Sequence, residues 1–173
     1  MIVLGLDAST TSTGWSVFQD RKLIGYGVIK PEGKDWRERM ANQAPKIMEI
    51  IEKYTPNKIY MEDVPLKRAN PTALMILGAV QGFFYGLVAK YSIPIEFIKP
   101  SAWRSPIGLY DGTKEGTKRP ELKHKSILKA NELFKLDLKW VSPNSKYNED
   151  DISDAILLAY SQISSRKLKS LDK

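Results

Sequence analysis

The chain opens with Ile2, Val3, Leu4, Gly5 and Leu6, a run without a polar side chain that stops at Asp7. An uninterrupted apolar run of that length predicts a strand buried on both faces. A polar turn follows (Ser9, Thr10, Thr11, Ser12, Thr13, Gly14), and Trp15-Ser16-Val17-Phe18 predicts a second strand. Asp20-Arg21-Lys22 reads as a tight turn and residues 23–29 as a third strand, so the chain begins as an antiparallel meander.

From 35 to 54 the apolar positions Trp36, Met40, Ile47, Met48, Ile50 and Ile51 recur at helical spacing, with Pro45 expected to kink or restart the helix. Residues 58–62 predict a fourth strand, 72–91 a long helix and 95–98 a fifth strand. Three strands followed by alternating helix and strand imply an α/β fold, a mixed five-stranded sheet flanked by helices. After Lys99-Pro100 the pattern breaks into turn signals, among them Gly108, Gly112 and Gly116, interleaved with Lys114, Lys118, Arg119, Lys123 and Lys125. Residues 105–120 read as a loop ordered by ligand. Helices are expected at 121–134 and 149–164, the second with Ile152, Ala155, Ile156 and Ala159 as its apolar face. Residues 1–164 form one expected domain, and 165–173 a basic tail expected to be disordered.

Composition narrows the partners. The 173 residues are 42% hydrophobic, enough for a real core, and carry 27 Lys+Arg against 20 Asp+Glu, so the formal charge is 27 − 20 = +7. That balance favours nucleic acid or an anionic membrane surface, although charge of this size also serves solubility alone. The absence of Cys removes disulfides, thiolate metal sites and cysteine nucleophiles, and the single His124 removes a histidine-based zinc site. The apolar start is too short for a signal peptide and no apolar run looks long enough to cross a bilayer. The expected setting is cytoplasmic, with no membrane.

In a basic chain, four acidic residues stand out. Asp7 and Glu62 each end an apolar strand, at the carboxyl edge where α/β sheets place their sites. If the two strands are central neighbours, these carboxylates lie close enough to repel unless a cation sits between them. Asp151 and Asp154, three apart, share one helical face; Asp150 and Asp154, four apart, share one equally well. Each has a plainer account. Asp7 suits a turn, and acids in a first helical turn answer the helix dipole, with Asn148 as cap and Asp151 as its partner. Dipole compensation does not account for Asp154, one full turn in.

Gly5-Leu6-Asp7 with Thr13-Gly14-Trp15, then Met61-Glu62-Asp63-Val64, then Asp151-Ile152-Ser153-Asp154-Ala155 resemble the successive motifs of the RuvC Holliday junction resolvases, a branch of the ribonuclease H-like nucleases. The likeness runs from Ile2 to about Ala159. It implies a ribonuclease H-like fold and a metal-dependent endonuclease acting on four-way DNA junctions. By that resemblance Asp7, Glu62, Asp151 and Asp154 are catalytic and hold two Mg2+ ions, with Mn2+ equally suited to oxygen ligands. The ions would activate water for in-line attack and stabilise the leaving 3′ oxygen. Lys123 is similar in position to a lysine that the family keeps near its active site, with Lys125 as the alternative; Asp150 stands open as a further ligand.

Gly78, Gly82 and Gly86, four apart on the long helix, leave a stripe without side chains that calls for a close backbone. The resemblance makes it the interface of a two-fold homodimer; close packing on the protein's own sheet would explain it as well. Two departures from the family concern the first turn and substrate choice. The usual Asp-Pro-Gly is Asp7-Ala8-Ser9. An aromatic that many members carry three positions after the second acid is Pro65, so DNA contact should lean on phosphates, through Lys67, Arg68, Lys114, Lys118, Arg119 and Lys125. Trp103 and Arg104 offer a replacement stacking pair, although a tryptophan beside a strand end is more often core. Forks, flaps and three-way junctions are therefore expected substrates beside the four-way junction. The competing readings are a ribonuclease H acting on RNA–DNA hybrids, an actin-like kinase, for which a second domain is missing, and a non-catalytic module that binds branched DNA.

Overall fold

The computed structural model describes residues 1–64 and 70–165. The expectations placed on Pro65, Lys67 and Arg68, and on the tail beyond Ser165, lie outside the described residues.

Five strands, β1 (Ile2–Ala8), β2 (Thr13–Gln19), β3 (Lys22–Ile29), β4 (Lys58–Glu62) and β5 (Ile95–Ile98), form one sheet in the order β3-β2-β1-β4-β5. The first three pair antiparallel, and β1–β4 and β4–β5 pair parallel, as the order of elements implied. β1 is central. Its side chains alternate between two cores: Val3 packs with Phe18, Tyr60 and Ile156 on one face, Leu4 and Leu6 with Val17, Ile59 and Met61 on the other. Val3, Leu4 and Leu6 are wholly buried, which is why the run reads as unbroken rather than alternating.

The second face is covered by α1 (Trp36–Tyr54) and α2 (Pro71–Ala89), the first by α4 (Arg119–Phe134) and α5 (Asp150–Ser165); a short α3 (Pro100–Arg104) follows β5. α1 starts where the Asp35 carboxylate accepts from the backbone N–H of Arg37 and Glu38. It runs unbroken through Pro45, against the expected restart, because Met40, Gln43, Ile47 and Ile51 on both sides of the proline are anchored in one core. α4 begins before the predicted boundary, with Pro120 in its first turn, where a missing N–H costs nothing.

α2 packs into the second core through the buried Val80, Phe84 and Val88, with Phe83 and Leu87 partly buried beside them. Gly78, Gly82 and Gly86 lie on its outer side, and a Cβ at any of them would meet no atom within 4 Å. The glycine stripe is therefore not spent on the protein's own sheet. Beside it Met75 and Tyr85 are 58% and 59% exposed. By length and composition α2 could cross a bilayer, which corrects the expectation that no apolar run was long enough; it is the one such helix among the described residues.

α5 lies unusually close to the sheet. Gly5 and Gly14 make room for it: a Cβ on Gly5 would come within 2.6 Å of the Ala155 carbonyl oxygen, and one on Gly14 would overlap the carbonyl of Asp151. Between them Ser16 Oγ donates to the Ala155 carbonyl at 2.8 Å. Strand alternation puts Gly5 and Asp7 on the same face, so the helix that crosses Gly5 brings its own acids beside Asp7.

Candidate active site

Asp7, Glu62, Asp150, Asp151 and Asp154 line one cavity of about 770 Å3 at the carboxyl edge of β1 and β4. The register Leu6↔Met61 between these parallel neighbours delivers Asp7 and Glu62 to that edge together. The condition set on the two strands, that they be central and adjacent, is met. Asp151 and Asp154 arrive from the first turns of α5, one face of which rests on β1 and β2.

The cluster is electrostatically loaded. Burial, and then repulsion from Glu62, Asp154 and Asp151, push the Asp7 carboxyl well above the usual range. Its carboxylate accepts no hydrogen bond among the described residues. Burial likewise raises Glu62, Asp151 and Asp154. For Glu62 and Asp154 the Arg104 guanidinium works in the opposite direction: Nη2 lies 3.1 Å from Glu62 Oε2 and 3.2 Å from Asp154 Oδ2. Burial disfavours the Arg104 charge, yet Asp154, Glu62 and Asp7 outweigh it and hold the guanidinium protonated.

Two positions expected to contact DNA are thus used differently. Trp103 has no exposed surface; its indole N–H donates to Glu62 Oε2 at 2.7 Å and its ring underlies Arg104 at 4.4 Å. A buried ring cannot stack on a base, so Trp103 orients Glu62 instead. Arg104 points into the carboxylates rather than outward. The short α3, absent from the sequence reading, explains both: it carries Trp103 inward and turns Arg104 over the end of β4.

Lys123 lines the cavity and pairs with Asp150, whereas Lys125 pairs with Asp111 at 2.6 Å outside it, which separates the two lysines. Asp111 also accepts from Thr113 N and Oγ1, and these bonds with Lys125 hold its pKa below the carboxylate range. They give the 105–120 segment internal bonding of its own. Of the other basic candidates, Arg119 lines the cavity, while Lys114 and Lys118 are exposed, Lys118 pairing with Glu115 at 2.5 Å. Asn148 does not cap α5. Its amide accepts from Val141 N and donates to the Ser142 carbonyl, both at 2.8 Å, bracing the loop ahead of the helix.

Ser126, Ser153 and Lys30 escaped the sequence reading. Ser126 Oγ donates to Asp154 Oδ1 and receives Ser153 Oγ at 2.9 Å, all in the buried interior. A serine at helical spacing carries no outward sign of such a role. Lys30, at the end of β3, reaches the cavity rim.

Among the described residues no three acidic or histidine side chains are closed to metal-ligand spacing, and the Arg104 guanidinium is shared by two of the acids. The donor set nonetheless fits a hard divalent cation: oxygen ligands only, raised carboxyls, and an Asp7 carboxylate without a hydrogen bond. Ser12 Oγ, buried at the same rim, has no hydrogen-bond partner among the described residues, though it lies near enough to Asp151 to lower that carboxyl's pKa.

A family model described as crossover junction endodeoxyribonuclease RuvC matches residues 3–118. A RuvC of Nitratidesulfovibrio vulgaris is 25% identical over 173 residues, covering 98% of this chain and 94% of the relative. Among solved structures, T. thermophilus RuvC in complex with Holliday junction substrate superposes with a TM-score of 0.71 at 16% identity, covering 96% of each chain. The Fowlpox virus resolvase with Holliday junction DNA gives 0.57 at 17%, covering 96% of this chain and 99% of that one. These likenesses establish a ribonuclease H-like fold. With the family match extending over two thirds of its length, the chain belongs to the RuvC family of crossover junction endodeoxyribonucleases.

Proposed function

We propose that the chain is a Holliday junction resolvase in which Asp7, Glu62, Asp151 and Asp154 hold two Mg2+ ions. The observation that carries this reading is the convergence of these four carboxylates in one cavity whose rim is basic, with Lys30, Arg119 and Lys123 around them. When bound, the metal supplies charge neutralisation and an activated water for in-line attack on the phosphodiester. Asp7, whose carboxylate accepts no hydrogen bond among the described residues, would be free to hold the metal. Glu62 Oε2 is held by the Trp103 indole and Arg104, and Asp154 by Ser126 on Oδ1 and Arg104 on Oδ2, so a metal at Asp154 would compete with the guanidinium. Lys123 and Arg119 draw the phosphate backbone to the rim.

Residues 1–164 act as one nuclease domain, working in the cytoplasm as a homodimer. The outer face of α2 supports the dimer: open glycines at 78, 82 and 86 permit close helix approach, and Met75 and Tyr85 supply apolar area that is otherwise wet. Paired sites of this kind suit two symmetric nicks. Three-way junctions, forks and flaps are expected to be cut too.

Labelled four-way, three-way, forked and linear DNA incubated with Mg2+ test this reading, with Asp7→Asn as the comparison. Symmetric nicks in the four-way junction, lost in the variant while binding persists, support it. Binding without cleavage by either protein would leave a non-catalytic module, and cleavage of RNA–DNA hybrids alone would make it a ribonuclease H.

A further inference from the structure

The loop before α5 holds an aromatic ring at the edge of the carboxylate cavity. Tyr147 is 67% exposed, the most exposed large apolar side chain among the described residues, yet it lines the same cavity as Asp7 and Asp151. The loop under it is heavily tied. Asn148 makes the two side-chain bonds described above, Glu149 N donates to the Lys139 carbonyl at 3.1 Å, and Lys139 N donates to Glu149 Oε2 at 2.8 Å. Tyr147 N donates to Ser145 Oγ at 3.2 Å. At the foot of the loop Trp140 stacks on His124 of α4, centroids 4.9 Å apart and 18° from parallel. A ring displayed on so braced a support has little freedom left to lose when a ligand lands on it.

Charge selects that ligand. The Lys146 ammonium lies 5.2 Å from the Tyr147 ring centroid, Lys30 Nζ reaches the Lys146 carbonyl at 3.5 Å, and both lysines line the cavity with the ring. An aromatic platform beside cations, next to carboxylates that suit metal-assisted phosphodiester chemistry, matches one nucleotide: phosphate to the lysines, base to the ring.

We propose that Tyr147, with Lys146 and Lys30, forms a nucleobase-binding subsite that stacks one unpaired DNA base next to the scissile phosphate. Trp103 is buried and cannot serve. The subsite rests on the junction reading above and adds to it: Tyr147 grips a base and so fixes which phosphate enters the cavity, without taking part in bond breaking.

The test uses the full chain and four-way junctions carrying 5-iododeoxyuridine in turn at each position flanking the nicks, irradiated in Ca2+, where oxygen-ligand binding is retained. Stacking predicts a cross-link that peptide mapping places on Tyr147. Tyr147→Ala should weaken junction binding by roughly tenfold, the scale of one lost base–aromatic contact, while Tyr147→Phe stays within about twofold of wild type. Matched melting temperatures for the three proteins exclude a folding defect. Cross-links mapping away from Tyr147 in a complex that does form, or equal binding by the Ala and Phe variants, would overturn the subsite and leave the resolvase reading intact. A wild-type chain that fails to bind the junction overturns both.

Discussion

Gly14 and Asp151 touch where β2 meets α5, and the space a side chain would take at Gly14 is already filled by the Asp151 backbone carbonyl. Backbone cannot yield as the end of a flexible side chain can. Gly14→Ala should therefore lift the first turn of α5 off the sheet, costing about 1–3 kcal/mol in stability. Because Asp151 and Asp154 ride on that turn, junction cleavage should fall further than the folded fraction does. Denaturant unfolding alongside single-turnover cleavage checks this, and a variant with normal stability and rate would show that the close approach has no functional weight.

Asp7→Asn separates stability from activity. The folded chain holds the Asp7 carboxyl well above 3.8, chiefly by burial and then by repulsion from the other acids. A carboxyl with a raised folded pKa favours folding at low pH and loses that contribution as pH rises through the raised value. In metal-free buffer near neutral pH the amide should thus melt higher than wild type, by roughly 2–4 °C for each kcal/mol relieved. The gain should shrink toward acid pH and upon adding Mg2+, while cleavage is lost throughout. Melting curves across pH that show no gain for the amide would contradict the assigned repulsion.

Much of this arrangement was legible before the structure. The unbroken run before Asp7 announced a central strand, and two strand-end acids in an α/β order announced a shared edge, which the β1–β4 register supplied. For Trp103 the sequence left stacking and core both open, because nothing in the pattern after Lys99-Pro100 marks a single helical turn, and that turn places the tryptophan in the core. Ser126 was invisible for a different reason. Its partner lies 28 residues away on another helix, and only tertiary packing joins them. The glycine stripe was visible in the spacing, but spacing alone could not say which side of α2 faces the sheet, and the glycines lie on the outer one.

Arg104 holds two raised carboxyls in check. By lowering the pKa of Glu62 and Asp154 it contributes stability that is present when they are ionised and is lost as pH falls and they protonate. Arg104→Gln should therefore destabilise the metal-free protein most at alkaline pH and least near pH 4. Added Mg2+ should recover part of the loss, since a divalent cation can answer the same two acids. A deficit that is constant with pH would mean that Arg104 matters through packing on Trp103 instead.

Ser126→Ala tests how Asp154 is prepared. The serine hydroxyl donates to Oδ1 and lowers the carboxyl's pKa against the larger effect of burial. Without it Asp154 protonates at higher pH, and the acid limb of the cleavage profile should move upward. A hydrogen bond to a charged group is worth about 1.5–3 kcal/mol, so the movement should be about one pH unit or more. An unmoved acid limb with a lowered plateau would assign Ser126 to packing alone.

The outer face of α2 is where a substitution should cost the monomer nothing. At Gly82 a new Cβ enters open space, and replacing glycine inside a helix gains up to about 1 kcal/mol from lower chain entropy. Gly82→Leu should thus fold at least as well as wild type. If two copies meet across this face, the added side chain keeps their backbones apart. Sedimentation at micromolar concentration should then show wild-type dimers and variant monomers of unimpaired stability. Junction binding by such a monomer would persist at one site, while paired nicking within one encounter would give way to single nicks. Dimers that survive both Gly82→Leu and Gly78→Leu would place the interface elsewhere and leave the glycine stripe without an occupant.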